Sequence, residues 1–260
     1  MKKVFWAVLL FPVFFAAGCG KSETPASAPS AEAPKSPSAP AVQAVADPAE
    51  AATITGKVVY TGTVPAPRTI SMSGNPECAA LHATPLSAED LLVKDGALQN
   101  AFVYVKEGLE GRSFTPSSEP VVVENKGCAY VPHVVGVQTG QPFTLINEDN
   151  TLHNVHAYPK ANKPFNLGLP IQGMKQTRKF DAPEIMVPIK CDVHPWMLGF
   201  AGVLSHPYFA VTGEDGSFSL KGLPPGTYTV EVWHEKLGTQ SQKIEIGPRE
   251  AKEVGFTYAA

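Results

Sequence analysis

The feature that most constrains this chain is a short pattern met again and again. Runs of β-branched and aromatic residues are each closed by glycine, proline or an Asp-Gly pair. Ile54–Tyr60, Ala101–Val105, Pro142–Ile146, Phe218–Leu220 and Tyr228–Trp233 all read this way, and several alternate with period two. Alternation turns one side of a strand toward a core and the other toward water. The only helical turns expected lie near Pro76–Leu81 and Ser87–Leu92. The fold class is therefore all-β, built as sandwiches.

The first half-hundred residues do not take part. A basic start, Met1 to Lys3, precedes an apolar run from Val4 to Ala17 that is too short to span a bilayer comfortably. Ala16-Ala17-Gly18-Cys19 resembles a bacterial lipobox, with alanine where leucine is usual, so residues 1–19 are expected to be a lipoprotein signal peptide that leaves Cys19 lipidated. An ordinary signal cut near Ala17 is the alternative. Residues 20–52 are almost all Ala, Pro, Ser, Glu, Lys and Thr and have nothing to bury, so they read as a disordered tether. At ~3.1 Å per residue such a tether reaches up to ~100 Å. The chain is thus expected in the bacterial cell envelope, facing the periplasm or the surface, where thiols tend to oxidise. A formal net charge of −3 and the absence of a basic run exclude a nucleic-acid partner.

The chemistry gathers in one segment. CDVHPWM spaces Cys191, His194 and Met197 at three-residue steps, and His153 lies upstream after the strand and polar turn of Gly140–Leu152. A thiolate, two imidazoles and a thioether are the donors of a type 1 copper centre, with His₂Cys in a plane and a long axial Met. Zinc would want more thiolates or a third histidine and has no use for Met197. A disulfide through Cys191 is the remaining alternative, but Cys78 and Cys128 can pair with each other and leave Cys191 free. Met174 and Met186 are spare axial candidates without ligand-loop spacing. His156, three residues past His153, falls on the opposite strand face. His156 and His133 are read as hydrogen-bonded, with a second metal site as the sharper alternative, and His82, His206 and His234 as structural or solvated. Pro195 and Trp196 would surround His194 with an apolar patch suited to a transient partner, unless Trp196 caps the core.

Two family resemblances follow from these residues. Asn147-Glu148-Asp149, then His153-Asn154-Val155, then the C-x₂-H-P-x-M loop Cys191–Met197, resemble a cupredoxin, and the short loop is most similar to the amicyanin type. The resemblance implies a Greek-key sandwich holding one type 1 copper ion through His153, Cys191, His194 and Met197. It also implies that Asn154 ties the two ligand-bearing loops together. Ala182–Lys190 departs from the usual run before the cysteine, and Pro188 suits an edge strand or a bulge. Thr212–Val232, with the upstream strands at 56–60 and 96–105, resembles a carboxypeptidase regulatory-like (transthyretin-like) sandwich. Residues 53–114 and 207–260 are then one split sandwich interrupted by a cupredoxin domain at 115–206, or else residues 53–113 form a separate cap. The expected function is single-electron transfer between redox protein partners in the envelope, not catalysis. The alternatives are a non-catalytic copper-storage or accessory binding module and, third, copper-dependent chemistry at an open site. No nucleophile triad, paired carboxylates or phosphate loop stands out.

Overall fold

The computed structural model describes residues 49–259; the expected signal, Cys19 and the tether as far as residue 48 lie outside them. The described residues are nearly all β. In chain order the strands begin with β1 (Ala52–Tyr60), β2 (Val93–Lys94), β3 (Ala97–Leu98) and β4 (Phe102–Glu107). Then come β5 (Val121–Lys126), β6 (Ala129–Val131), β7 (Val134–Gln138), β8 (Phe143–Asn147) and β9 (His153–Ala157). They continue with β10 (Phe165–Leu169), β11 (Lys175–Arg178), β12 (Glu184–Lys190) and β13 (Leu198–Leu204). The last are β14 (Phe209–Val211), β15 (Ser217–Leu223), β16 (Gly226–His234), β17 (Gly238–Ile246) and β18 (Ala251–Tyr258). A single helical turn, α1, spans Pro76–Ala79. The second turn expected, Ser87–Leu92, is not helical: Thr69 and Ser87 form a β-bridge, so the backbone there is spent on pairing. Among the described residues no helix is long and apolar enough to cross a membrane.

The strands form two sandwiches. Strands β5 to β13 make one, with a sheet in the order β10-β9-β12-β13-β7 facing a sheet in the order β11-β8-β5-β6. Its inner faces supply Val123, Phe143 and Leu145 from one sheet and Val155, Leu169, Ile189 and Val203 from the other, all fully buried. Strands β1 to β4 and β14 to β18 make the second, with β15-β1-β3-β2 plus β18 on one side and β14-β4-β16-β17 on the other. Ile54, Leu98, Val230 and Phe256 lie at its centre.

The sandwiches touch through a glycine surface. Gly136 of β7 and Gly202 of β13 are register partners. A Cβ on Gly136 would come within 2.3 Å of Phe209, and one on Gly202 within 2.5 Å of Phe102. Phe102 and Phe209, stacked at 5.7 Å, therefore press onto a stripe that only glycine leaves open. Pro188 is not at an edge, because β12 lies between β9 and β13. The irregularity comes just upstream: the register slips between Glu184 and Val187, and Met186 adopts φ 60°. That bulge turns Met186 out of its own sandwich and into the contact with Phe102 and Leu204.

The segment between β1 and β2 crosses over. Met72 and Cys78 are buried in the core of the β5–β13 sandwich, and Ile70 and Leu86 pack against it. Cys78 is joined there to Cys128 by a disulfide.

Two buried histidines in the second sandwich set an acid limit. Burial lowers His206 to about 4, outweighing a backbone bond with Val105. Burial also lowers His234 to about 4, against the charges of Glu235 and Asp90. The unfolded chain protonates these imidazoles near pH 6.5, so below that value it binds more protons than the folded chain and stability falls with pH. His133 and His153 are raised instead, and their contribution is already complete below pH 6.5. Urea unfolding at pH 6.5 and 4.5 should show a loss of about 2 kcal/mol per histidine; equal stabilities would refute the assignment. Gly202→Ala, read in the same assay at pH 7, should cost about 1–3 kcal/mol by overpacking Phe102.

Candidate metal centre

The site is assembled by two loops at one end of the β5–β13 sandwich. The first joins β8 to β9. Its polar residues have fixed tasks: the Asn147 side-chain amide donates to Thr151 O and Leu169 O, both at 2.8 Å, and its Oδ1 accepts from the Asp149 N–H at 2.9 Å. This folds the loop back so that His153 opens β9 with its ring inward and 0% exposed. The second loop, Cys191–Met197, joins β12 to β13. It is closed by the Met197 N–H to His194 O at 2.9 Å and the Cys191 N–H to Met197 O at 3.3 Å.

Three donor atoms converge. His153 Nδ1 and His194 Nδ1 are 3.0 Å apart, and Cys191 Sγ is 3.6 Å from His194 Nδ1. The ligand atoms of His153, Cys191 and His194 all lie within 4.8 Å of one another. Nitrogen and sulfur atoms bound at about 2.0 and 2.3 Å to one ion would be separated by roughly 3–3.7 Å. The His153–His194 and Cys191–His194 separations thus match those of donors on a single metal ion. Met197 is buried in the same apolar cluster as Cys191. Asn154 spans the two loops: its Oδ1 accepts from the Asp192 N–H at 2.7 Å and lies 3.3 Å from Cys191 Sγ.

Asp149 is the residue that sequence reasoning passed over. Its carboxylate accepts from His153 Nε2 at 2.9 Å, from the Cys128 N–H at 2.8 Å and from the Gly127 N–H at 2.7 Å. With the proton held on Nε2, the Nδ1 lone pair of His153 points into the donor triangle, which is how a metal-binding imidazole is oriented. Its place four residues before His153 was the available signal.

The electrostatics differ across the site. Burial would push the Cys191 thiol up, but the His153 side chain and the backbone N–H groups of Asn154, His194 and Val193 bring it below its ordinary value. Burial would lower His153, but Asp149 and then Cys191 raise it. His194 has no such partner; burial, then the neighbouring His153, holds it down and keeps it neutral. The Cys191 thiol, shifted toward thiolate, and the neutral His194 are in the states a soft metal requires, while a bound ion would have to displace the proton favoured on His153.

The other expected residues fall outside the triangle. His156 is half-buried, with Nδ1 3.1 Å from Asp192 Oδ2. His133 is buried and bonded at 2.5 Å to Glu235, across the contact between the sandwiches. Among the described residues neither belongs to a cluster of potential metal ligands. Pro195 is exposed, while Trp196 is half-buried, donating from Nε1 to Cys128 O at 3.0 Å and packing 5.2 Å from the His194 ring. Cys78 Sγ, one half of the disulfide, lies 3.4 Å from His194 Nε2. His194 is consequently 1% exposed instead of standing at an open apolar edge.

Residues 203–259 match the family model of the carboxypeptidase regulatory-like domain. No curated protein matches the sequence. Among solved structures, a copper-containing nitrite reductase from Thermus scotoductus SA-01 is similar at 22% identity over 39% of this chain, with a TM-score of 0.32. The match spans only 25% of that enzyme. A reduced variant of amicyanin is similar at 24% identity, covering 34% of this chain and 84% of its own, with a TM-score of 0.30. A purple cupredoxin from Nitrosopumilus maritimus shows 22% identity over 32% of this chain and 97% of its own, with a TM-score of 0.27. At such scores the likenesses add nothing to what the donor set itself supports.

Asp149→Asn should lower the His153 pKa in the metal-free protein, as followed by the ring proton shifts in NMR. It should also cost about 2 kcal/mol of stability, the scale of a lost hydrogen bond to a charged group. An unchanged His153 titration would mean that the carboxylate does not govern the ring.

Proposed function

We propose that the β5–β13 sandwich binds one type 1 copper ion through His153, Cys191 and His194, with Met197 as a weak axial donor, and serves in single-electron transfer. The observation that carries this reading is the convergence of His153 Nδ1, His194 Nδ1 and Cys191 Sγ in a buried pocket. A bound copper ion would supply one-electron exchange between its two common oxidation states. The chain's own part is to hold the donors still. Asp149 fixes the His153 ring, Asn154 ties the loops, and both imidazoles are buried. Donors that do not move between oxidation states keep the reorganisation on electron exchange small.

Catalysis is not part of this proposal. With Met197 as the fourth donor, side chains would fill the coordination positions, and both imidazoles are buried, which disfavours a substrate at the ion. Among the described residues, strands β1–β4 and β14–β18 carry no member of the clusters of potential metal ligands, which supports an accessory or positioning role for the second sandwich. With Cys19 lipidated and the Ala/Pro/Ser-rich stretch as a leash, the copper sandwich would work in the bacterial envelope, exchanging electrons with other redox proteins.

One equivalent of Cu(II) should give an intense visible thiolate-to-copper absorption and the narrow hyperfine splitting of a type 1 site in electron spin resonance. Cys191→Ser should abolish both while the far-ultraviolet circular dichroism stays that of a β protein. Colourless protein after copper loading would overturn the reading.

A further inference from the structure

His194 turns its two ring nitrogens toward two different groups of donors. Nδ1 faces His153 and Cys191, the triangle described above. Nε2 lies on the other edge of the ring, 3.4 Å from Cys78 Sγ. The ligand atoms of Cys78, Cys128 and His194 all lie within 4.8 Å of one another, and all three residues are buried. A second set, two sulfurs and one imidazole nitrogen, thus backs onto the first. While Cys78 and Cys128 are joined to each other they offer no thiolate, which is the form of cysteine that binds metal. Reduction would supply two.

The surroundings of this second set give it an entrance and a frame. A cleft of roughly 240 Å³ has Cys78 and His194 in its wall, together with residues 74–77 and Thr151. Glu77 is the only acidic or basic side chain other than His194 among the lining residues, so the cleft carries a carboxylate suited to a cation. The same carboxylate accepts from Thr151 Oγ1 at 2.7 Å, which ties α1 to the loop before His153. Cys128 is held independently of the S–S bond: its N–H donates to Asp149 at 2.8 Å, and its carbonyl accepts from Trp196 Nε1 at 3.0 Å. Burial of Met72 keeps the segment before α1 in the same core. Both sulfurs therefore have anchors that survive when the bond between them opens, and an ion bridging them would restore the cross-link.

We propose that Cys78, Cys128 and His194 Nε2 form a second metal site, which takes Cu(I) when a dithiol has reduced the disulfide. A dithiol entering the cleft attacks Cys78 Sγ, the Cys78–Cys128 bond breaks, and the mixed disulfide closes to the oxidised dithiol. Two electrons and two protons pass to the protein, which is left with two thiols. Cu(I) then takes the place of the thiol protons, which leave to solvent. Two thiolates and an imidazole are soft donors of the kind that select Cu(I). A neutral imidazole has one lone pair, so His194 serves one set at a time. With the ion on Nε2 the ring proton sits on Nδ1, and the His153–Cys191 set loses its third donor. The oxidation state of the cysteine pair thereby selects the set to which His194 belongs. The site needs neither Cys191 nor Met197 and does not rest on the type 1 reading.

The test uses the full chain carrying Cys19→Ser and Cys191→Ser, which leaves Cys78 and Cys128 as its only cysteines. Reduced with dithiothreitol and desalted without oxygen, it should bind one equivalent of Cu(I) in competition with bicinchoninate, about tenfold or more tightly than the oxidised form. Adding His194→Gln to the reduced chain should weaken binding about tenfold or more, since even an indirect support of a metal ligand is worth that much. Long-range proton–nitrogen NMR of the Cu(I) form should show the ion on His194 Nε2 and the proton on Nδ1. Equal affinity in the oxidised and reduced forms, no effect of His194→Gln, or the ion on Nδ1 would overturn the proposal. So would a reduced chain that unfolds and does not refold on adding Cu(I). Colourless protein after Cu(II) loading of the unmodified, oxidised chain would overturn the type 1 reading alone and leave this result standing.

Discussion

A buried carboxylate with three N–H donors holds this site together. Taking an ionised Asp out of water is costly unless hydrogen bonds replace the lost hydration. Asp149, 5% exposed, obtains them from Gly127, Cys128 and His153. The carboxyl stays below its usual range because the bonds from His153, Cys128 and Gly127 outweigh its burial. Those donors come from two separate pieces of the site. Gly127 and Cys128 form the β5–β6 turn, Cys128 carries the bond to Cys78, and His153 supplies a converging nitrogen. One charge thereby sets a histidine tautomer, a turn and the anchor of a covalent strap.

The second sandwich enters this arrangement from behind. The strands that carry the converging loops, β12 and β13, lie in the sheet whose outer face meets Phe102 and Phe209. Gly136 and Gly202 let the aromatic rings approach to contact distance, and the Met186 bulge fills the remaining gap. The His133–Glu235 pair crosses the same boundary, where the carboxylate raises the imidazole against the pull of burial. A contact made of rings on bare backbone leaves little room for sliding, so β12 and β13 are braced on the side away from the donors.

How much of this the sequence disclosed depends on the range of the interaction. The period-two runs Ile54–Tyr60 and Tyr228–Trp233 became β1 and β16 because alternation is a local property that both faces of a sheet enforce. Cys191, His194 and His153 were legible for a similar reason: two are in one tight loop and the third opens a strand after a polar turn. Asp149 was visible but mute, since its partners Gly127 and Cys128 are brought near only by the parallel pairing of β5 and β8. The extended path of Ser87–Leu92 was misread as a turn of helix because the bridge from Thr69 to Ser87 that shapes it has no local sign. Pro188 marked an irregularity correctly, but the irregularity itself fell on Met186, where no proline or glycine announces it.

The covering of His194 is the least local feature of all, and its energetics explain why it takes a covalent bond. Residues 70–86 form one helical turn and few regular backbone bonds, chiefly Ile70 N–H to Leu86 O at 2.8 Å, so little secondary structure opposes their conformational entropy. Burial of Met72 and the partial burial of Ile70 and Leu86 contribute only the few kcal/mol of small apolar side chains. Linking Cys78 to Cys128 across a separation of 50 residues removes about 4 kcal/mol of chain entropy from the unfolded state in the loop-closure account. That is comparable to everything the segment gains by packing. The covering of the imidazole is therefore a property of the disulfide as much as of the fold, made by two cysteines outside the His153–Cys191–His194 triangle.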